Sequence, residues 1–337
     1  MIEQPYRASE QRYNSGMIYR RCSRKTDMGL KLPVISLGLW HNFGSVDPLN
    51  ESRKKIFYAF DRGITHFDLA NNYGPLYGTA EETFGRIMED SLRPYRDELI
   101  ISTKAGHDMW PGPYGEGGSR KYLMASIEQS LKRLKLDYVD IFYSHCFDPY
   151  TPLEETIETL LDIVRQGKAL YAAISKYPFD KAEVVYKYMK DQHHPCLLYQ
   201  GKYNIFDREM ENDGIIGQAY ENGVGFVAFS PLAQGLLSDR YLKGIPADSR
   251  IGRGGYLKES SLTDSTLKKI KQLNNIAAKR EQSLAQMALA WLINDNRISS
   301  VVIGASSADQ IKNNLDSLKN YKFSNEESKE IDKIIKS

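Results

Sequence analysis

The sequence predicts an α/β fold, a closed (β/α)8 TIM barrel, on three observations. Short runs that are apolar at nearly every position recur eight times, as parallel strands covered on both faces require. Stretches with helical spacing of apolar residues separate them, and most successive strand ends fall about 25 to 40 residues apart, one strand and one helix each. An open doubly wound sheet would carry GxGxxG after its first strand; none is there, and the glycine-rich PGPYGEGG at 111–118 comes only after the third.

Residues 17–33, MIYRRCSRKTDMGLKLP, alternate around a DMG turn and read as an N-terminal β-hairpin cap over the bottom of the barrel. The eight strands are VISLGLW (34–40), THFDLA (65–70), LIISTKA (99–105), YVDIFYSH (138–145), ALYAAISK (169–176), CLLYQGKY (196–203), GVGFVAFSP (223–231) and SSVVIGAS (299–306). Helical spacing covers 119–136 and 152–169, the second with Thr151 as its expected cap and Pro152 in its first position. Some 70 residues separate the seventh strand from the eighth, room for a long loop over 232–262 and an additional helix before the regular one at 285–295. Residues 308–320 and 325–337 read as two amphipathic C-terminal helices, the last charged and solvated. Neither flank requires a second unit, so one barrel domain over 1–337 is expected.

Composition limits the function. The chain has 337 residues, 41% hydrophobic and 26% charged, as a globular protein does. With 45 basic and 43 acidic residues, no charge excess points to nucleic acid or an anionic membrane, which leaves small molecules or other proteins as partners. No run approaches the roughly 18 apolar residues of a membrane span, and the opening MIEQPYRASEQRYNSG lacks a signal-peptide core, so a cytoplasmic protein is expected. Cys22, Cys146 and Cys196 stand far apart without a CxxC pair, as reduced thiols, and His193 with His194 reads as a surface pair. No metal site is expected.

In such a barrel function collects at the C-terminal ends of the strands. The second strand ends at Asp68, the third at Lys104, the fourth at His145, and Tyr73 sits on the loop leaving the second. Neighbouring strands lie about 4.8 Å apart, so the four converge at one mouth. Singly each has a plain reading: a turn aspartate, a solvated lysine, a core histidine, a tyrosine packed under its loop. Together they suit carbonyl reduction. Hydride arriving at a carbonyl carbon leaves charge on oxygen, and a tyrosine can protonate it if a cation stabilises the phenolate. Lys104 supplies the cation, Asp68 holds it, and His145 orients the substrate oxygen. Metal-assisted hydrolysis is the competing chemistry, but strand ends five to eight offer Ser175, Gln200, Ser230 and Ser306 where it needs further ligands.

GLWHNFG after strand one, HFDLANNYG, ISTKAG, DYVDIFYSH, AAISK, QGKYN, FSPLAQGLL and VVIGASSADQIKNN together cover about 300 residues. In these motifs the chain resembles the aldo-keto reductases. The resemblance implies a barrel that binds NADPH (NADP+) in extended form, with Asp68, Tyr73, Lys104 and His145 as the catalytic tetrad. It places Trp40 and Asp68 at the nicotinamide, Ser175 and Gln200 on the carboxamide, and Phe229 stacked on the ring. Ser230, Pro231, Leu232, Arg240 and Arg250 would embrace the pyrophosphate and ribose. Gly304, Ser306, Gln310, Asn313 and Asn314 would take the adenosine 2′-phosphate and adenine. More narrowly it implies a bacterial branch that reduces small aldehydes such as L-glyceraldehyde 3-phosphate and methylglyoxal and forms homo-oligomers, tetramers or octamers. That branch is also similar to potassium-channel β subunits, which leaves a cofactor-binding, redox-sensing regulatory subunit as the second reading. Two positions depart from the family pattern: Ser307 where NADPH-preferring relatives place a basic residue, and Lys176 after strand five, either a solvated lysine or an extra cation for a phosphorylated substrate.

Overall fold

The structure is a computed structural model and describes residues 5–242 and 259–337. A hairpin of β1 (Tyr19–Ser23) and β2 (Met28–Pro33) precedes the first barrel strand, β3 (Ile35–Gly38). There follow α1 (Leu49–Asp61), β4 (His66–Asp68), α2 (Thr79–Ile87), β5 (Ile100–Ala105), α3 (Arg120–Leu134), β6 (Val139–Ser144), α4 (Leu153–Arg165), β7 (Ala169–Ser175) and α5 (Phe179–Asp191). The second half comprises β8 (Leu198–Lys202), α6 (Glu209–Asn212), α7 (Ile215–Glu221), β9 (Gly225–Phe229), α8 (Asp264–Lys279), α9 (Leu284–Asn294), β10 (Ile298–Ile303), α10 (Ala308–Leu315) and α11 (Asn325–Lys336). Strands β3 to β10 close a parallel barrel in chain order, with β10 pairing back onto β3. Every expected strand forms, shorter at its ends because the loops leave early: THFDLA yields only His66–Asp68.

The barrel interior divides chemically. Ile141, Tyr143, Ala173, Leu198, Val227 and Val302 fill one side, and Cys22 and Leu32 of the hairpin join the same cluster from below. Toward β3, β4 and β5 the inward positions are instead Ser36, His66, Asp68, Ser102 and Lys104, joined by Ser300 of β10, all buried. A larger apolar shell lies between strands and helices. The hairpin is fixed to the bottom by Val34 N–H on Ile18 C=O and by Ser299 Oγ on Cys22 C=O. Arg20 adds donors to the carbonyls of Ile293 and Ile298, satisfying the open end of α9. Gly225 stands where β1 crosses β9: a Cβ there would lie 2.7 Å from Cys22 O and 2.6 Å from a Leu198 methyl.

Two expectations need correction. Thr151 does not cap α4, whose N-cap is Pro152 without a side-chain bond. The Thr151 hydroxyl goes to Asp148 Oδ2 at 2.7 Å, and the same carboxylate takes the N–H groups of Gly118 and Tyr150. The helix starts at Leu153, so Thr151 lies one residue before the cap position, and its hydroxyl is held by the Asp148 carboxylate. Nor is the last helix simply solvated: α11 buries Ile331 and Ile334 against Ile270 and Leu273 of α8. Of the long loop 232–262, the described part holds two short 3-10 turns, Ala233–Gly235 and Asp239–Tyr241, and a third at Glu259–Ser261.

Gly225→Val is expected to lower stability by about 1–3 kcal/mol, because the branched side chain must displace backbone of the hairpin. Chemical denaturation of the variant checks this, and an unchanged midpoint would mean the hairpin does not press on β9.

Candidate active site

Register and side-chain parity build the site. Asp68 of β4 pairs with Ser102 of β5, and Lys104, two residues further up, pairs with Tyr143 of β6. Residues two apart share a strand face, so Ser102 and Lys104 both point inward, as do His66 and Asp68. Lys104 Nζ reaches Asp68 Oδ2 at 2.6 Å and Leu69 C=O at 2.6 Å, with neither side chain of the ion pair more than 3% exposed. Asp68 Oδ1 accepts from Ser102 Oγ at 2.7 Å and from Gln200 Nε2 at 3.2 Å. The carboxylate is therefore saturated, as a buried charge must be.

The tyrosine loop folds back over this pair. Asn71 N–H takes Lys104 C=O and Ala80 N–H takes Tyr73 C=O. The Asn71 amide donates to Tyr122 Oη of α3, which itself donates to His107 C=O, tying the Tyr73 loop to the loop after β5. Tyr73 lies with its ring centroid 5.0 Å from Lys104 Nζ, 5.9 Å from the His145 ring and 6.4 Å from the Trp40 ring. His145, buried just past β6, is held by its N–H on Ala105 C=O, and its Nδ1 has no partner among the described residues.

Burial dominates the protonation states. It pushes the Tyr73 phenol well above its ordinary range, with Asp68 adding to the shift. It draws Lys104 down, an effect opposed by Asp68. His145 falls well below its ordinary value through burial and then the neighbouring Lys104, His107 and Lys176. Burial thus favours a protonated phenol and a neutral imidazole beside the Lys104–Asp68 ion pair. A neutral imidazole can orient a carbonyl oxygen, and a protonated phenol can donate to it.

Around the mouth, Ser175 and Gln200 are paired across β7 and β8. Phe229 ends β9, and Ser230 follows it at φ 53°, its C=O accepting from Asn204 Nδ2. Pro231 is buried and Leu232 partly so; Arg240 is exposed in the turn Asp239–Tyr241. Arg250 lies outside the described residues. Exposed Gly304 and Ser306 follow β10, and Ser307 caps α10 by accepting from Gln310 N–H. Gln310 Oε1 in turn accepts from Ser306 N–H at 2.7 Å, Asn313 accepts from Gln286, and Asn314 is buried with no partner for its Nδ2 among the described residues. No group of three or more His, Cys, Asp or Glu able to hold a metal ion occurs among the described residues, and no described helix is long and apolar enough to cross a membrane.

The Aldo/keto reductase family matches residues 34–336. The chain belongs to that family. It is 52% identical over 332 residues to L-glyceraldehyde 3-phosphate reductase of Escherichia coli K12, across 97% of this chain and 95% of that protein. It is 35% identical to probable voltage-gated potassium channel β subunits, over 309 residues in rice, Oryza sativa subsp. japonica (90% of this chain, 91% of that one), and over 294 in Arabidopsis thaliana (85% and 88%). As an aldo/keto reductase the chain is an oxidoreductase acting on aldehydes or alcohols.

The site of this aldo/keto reductase fits a nicotinamide carboxamide on an observation of its own. Ser175 Oγ is fully buried at the end of β7 and has no partner among the described residues, so a polar group from outside is needed to satisfy it. Sequence reasoning passed over His107, whose ring centroid is 4.5 Å from that of His145, and over His66, Ser102 and Tyr143 in the barrel interior. For His66 the signal was parity with Asp68, two residues on, and for Tyr143 its pairing with Lys104 across the sheet; Ser102, a small hydroxyl, and His107, on a loop, gave none of their own. Cys146, 3.7 Å from His107 Nδ1, has its thiol pushed up by burial, which keeps it protonated.

Acid sensitivity follows. A histidine kept neutral by burial binds fewer protons folded than unfolded, so stability is lost as pH falls below the unfolded value of about 6.5 and levels off beneath the folded one. For His66 the folded value is about 4, and His145 shifts in the same direction. His66 is expected to remove about 2 kcal/mol between pH 7 and 5, and His145 to add a loss of the same sign. Denaturant titrations at the two pH values check this; equal stabilities would show that neither imidazole is held neutral.

Proposed function

We propose that the protein reduces small aldehydes to alcohols with NADPH, L-glyceraldehyde 3-phosphate foremost, and that Tyr73 donates the proton. The observation that carries this reading is the ammonium of Lys104, buried on Asp68 and 5.0 Å from the Tyr73 ring. A buried cation in that place lowers the cost of phenolate, the form Tyr73 takes once its proton has gone to the carbonyl oxygen. The bound nicotinamide supplies hydride to the carbonyl carbon.

His145 holds the carbonyl oxygen in line with the phenol, and Asp68 keeps Lys104 charged and immobile. Ser175 Oγ and Gln200 would hold the carboxamide, with Trp40 beside the nicotinamide and Phe229 stacked on it. Ser230, Pro231, Leu232 and Arg240 would meet the pyrophosphate and ribose. Gly304, Ser306, Gln310, Asn313 and Asn314 would receive the adenosine end. Serine 307 caps α10, so the 2′-phosphate would meet helix N–H groups and hydroxyls there and no basic side chain from that position.

A phosphorylated substrate is favoured over methylglyoxal by Lys176. Its Nζ lies 2.8 Å from His107 Nε2, on the rim beside His145. His107, its pKa lowered by burial and by Lys176, accepts that bond as a neutral ring and leaves the cation to the lysine. The relative of the same size and 52% identity, named for L-glyceraldehyde 3-phosphate, supports the same substrate.

Tyr73→Phe is expected to lower aldehyde turnover by roughly 10²–10⁴-fold, the usual worth of a general acid, while NADPH still binds; near-normal turnover, followed at 340 nm, would refute the role. Lys176→Met is expected to raise KM for glyceraldehyde 3-phosphate much more than for methylglyoxal. An equal effect on both would remove the phosphate from the reading. Tight NADPH binding with no aldehyde turnover in the intact protein would favour instead a redox-sensing regulatory subunit, a reading that fits plant relatives named as potassium channel β subunits.

A further inference from the structure

A continuous hydrogen-bonded chain crosses the polar side of the barrel interior and ends on Asp68. Ser300 Oγ donates to Pro33 C=O at 2.6 Å and lies 2.6 Å from Ser36 Oγ. Ser36 Oγ lies 2.8 Å from His66 Nδ1, His66 Nε2 lies 3.0 Å from Ser102 Oγ, and Ser102 Oγ lies 2.7 Å from Asp68 Oδ1. All four side chains between the two ends are fully buried or nearly so.

The hydrogens can be counted. Both ends, a peptide carbonyl and a carboxylate, only accept, and three serine hydroxyls supply one hydrogen each. Five contacts therefore need two hydrogens from the imidazole, and a neutral ring has one. If that hydrogen were on Nε2, the hydrogens of Ser36 and Ser300 would have to serve three contacts, and the one left empty would at best be Ser36 Oγ with Nδ1 at 2.8 Å, two lone pairs face to face. With it on Nδ1, the run from His66 to Pro33 is complete. The shortfall then falls on the longest contact, where His66 Nε2 and Asp68 compete for the single hydrogen of Ser102.

We propose that His66 is a positioning residue for this reaction: as the neutral Nδ1–H tautomer it divides the Ser102 hydroxyl with Asp68, and a proton taken from solvent at Nε2 commits Ser102 to Asp68. The ion pair beneath Tyr73 thereby carries a pH switch distinct from the titration of Tyr73 itself. Uptake also adds a cation to the barrel interior, which favours loss of the Tyr73 proton and so speeds reduction toward acid pH. The ionisable groups acting on His66 are Asp68 on its own strand, which favours the proton, and Lys104 on β5, which opposes it. Tyr143 of β6 and Cys22 of the hairpin, the other titratable groups of the interior, are held protonated by burial. Burial sets the His66 titration near 4, so the switch operates on the acid side of neutrality.

The inference rests on Asp68 holding Lys104 for the proton transfer, and its test separates the two. Histidine side-chain ¹⁵N NMR of the intact protein at pH 7 should show His66 with hydrogen on Nδ1, and Ser36→Ala, which removes the acceptor of that hydrogen, should move it to Nε2. In stopped-flow reduction, wild type should show an inflection below about pH 5. His66→Leu should lose it, because no imidazole is then left to take up the proton, while the KM for NADPH stays unchanged. A wild-type ring protonated on Nε2 at pH 7, or a His66→Leu enzyme that keeps the wild-type profile, would overturn the proposal. The NMR result stands whether or not Tyr73 proves to be the acid.

Discussion

The site depends on one buried ion pair, Asp68 with Lys104. A charge taken from water into a barrel interior costs several kcal/mol unless its partner and hydrogen bonds replace the solvent. Here the replacement is thorough: the ammonium has a carboxylate and a peptide carbonyl, and the carboxylate has Lys104, Ser102 and Gln200. Much of the local architecture serves these bonds. Strand β4 stops at Asp68, which frees Leu69 C=O to turn toward Lys104, and the Asn71 amide then anchors the tyrosine loop to α3 and the β5 loop.

The same pair explains why the barrel interior is chemically divided. A wholly apolar filling would leave Asp68 unsatisfied, so the positions below it are serines and a histidine, while the far side closes with Ile141, Leu198, Val227 and Val302. The hairpin seals the bottom with Cys22 and Leu32, so the ion pair is sealed from below and open only toward the mouth.

Much of this was legible in the sequence, for physical reasons. Strands covered on both faces are apolar throughout, so a charged residue at the end of one stands out, and Asp68, Lys104 and His145 did. The eight strands and the hairpin were legible because periodicity records burial directly. Helix capping at Thr151 was not, because the helix begins one residue later than expected and the hydroxyl turns back to Asp148, which apolar periodicity does not record. Ser36, Ser102 and Ser300 were illegible for a related reason: a small hydroxyl on a strand suits a turn, a sheet face or a buried wire equally, and only closure of the barrel brings these three to His66. His107 and Lys176 were separated by 69 residues and met only through two loops. The loop after β9 is described up to residue 242 and from 259, so the expectation for Arg250 lies outside the described residues.

The account is tested most directly by Lys104→Met, assayed in a single turnover of bound NADPH with aldehyde and a parallel NADPH binding titration. If the buried cation is what makes phenolate accessible, hydride transfer should slow by about 10²-fold or more while NADPH affinity holds within a few-fold. Transfer at the wild-type rate would contradict the account, since Tyr73 would then release its proton without the charge around which the barrel interior is arranged.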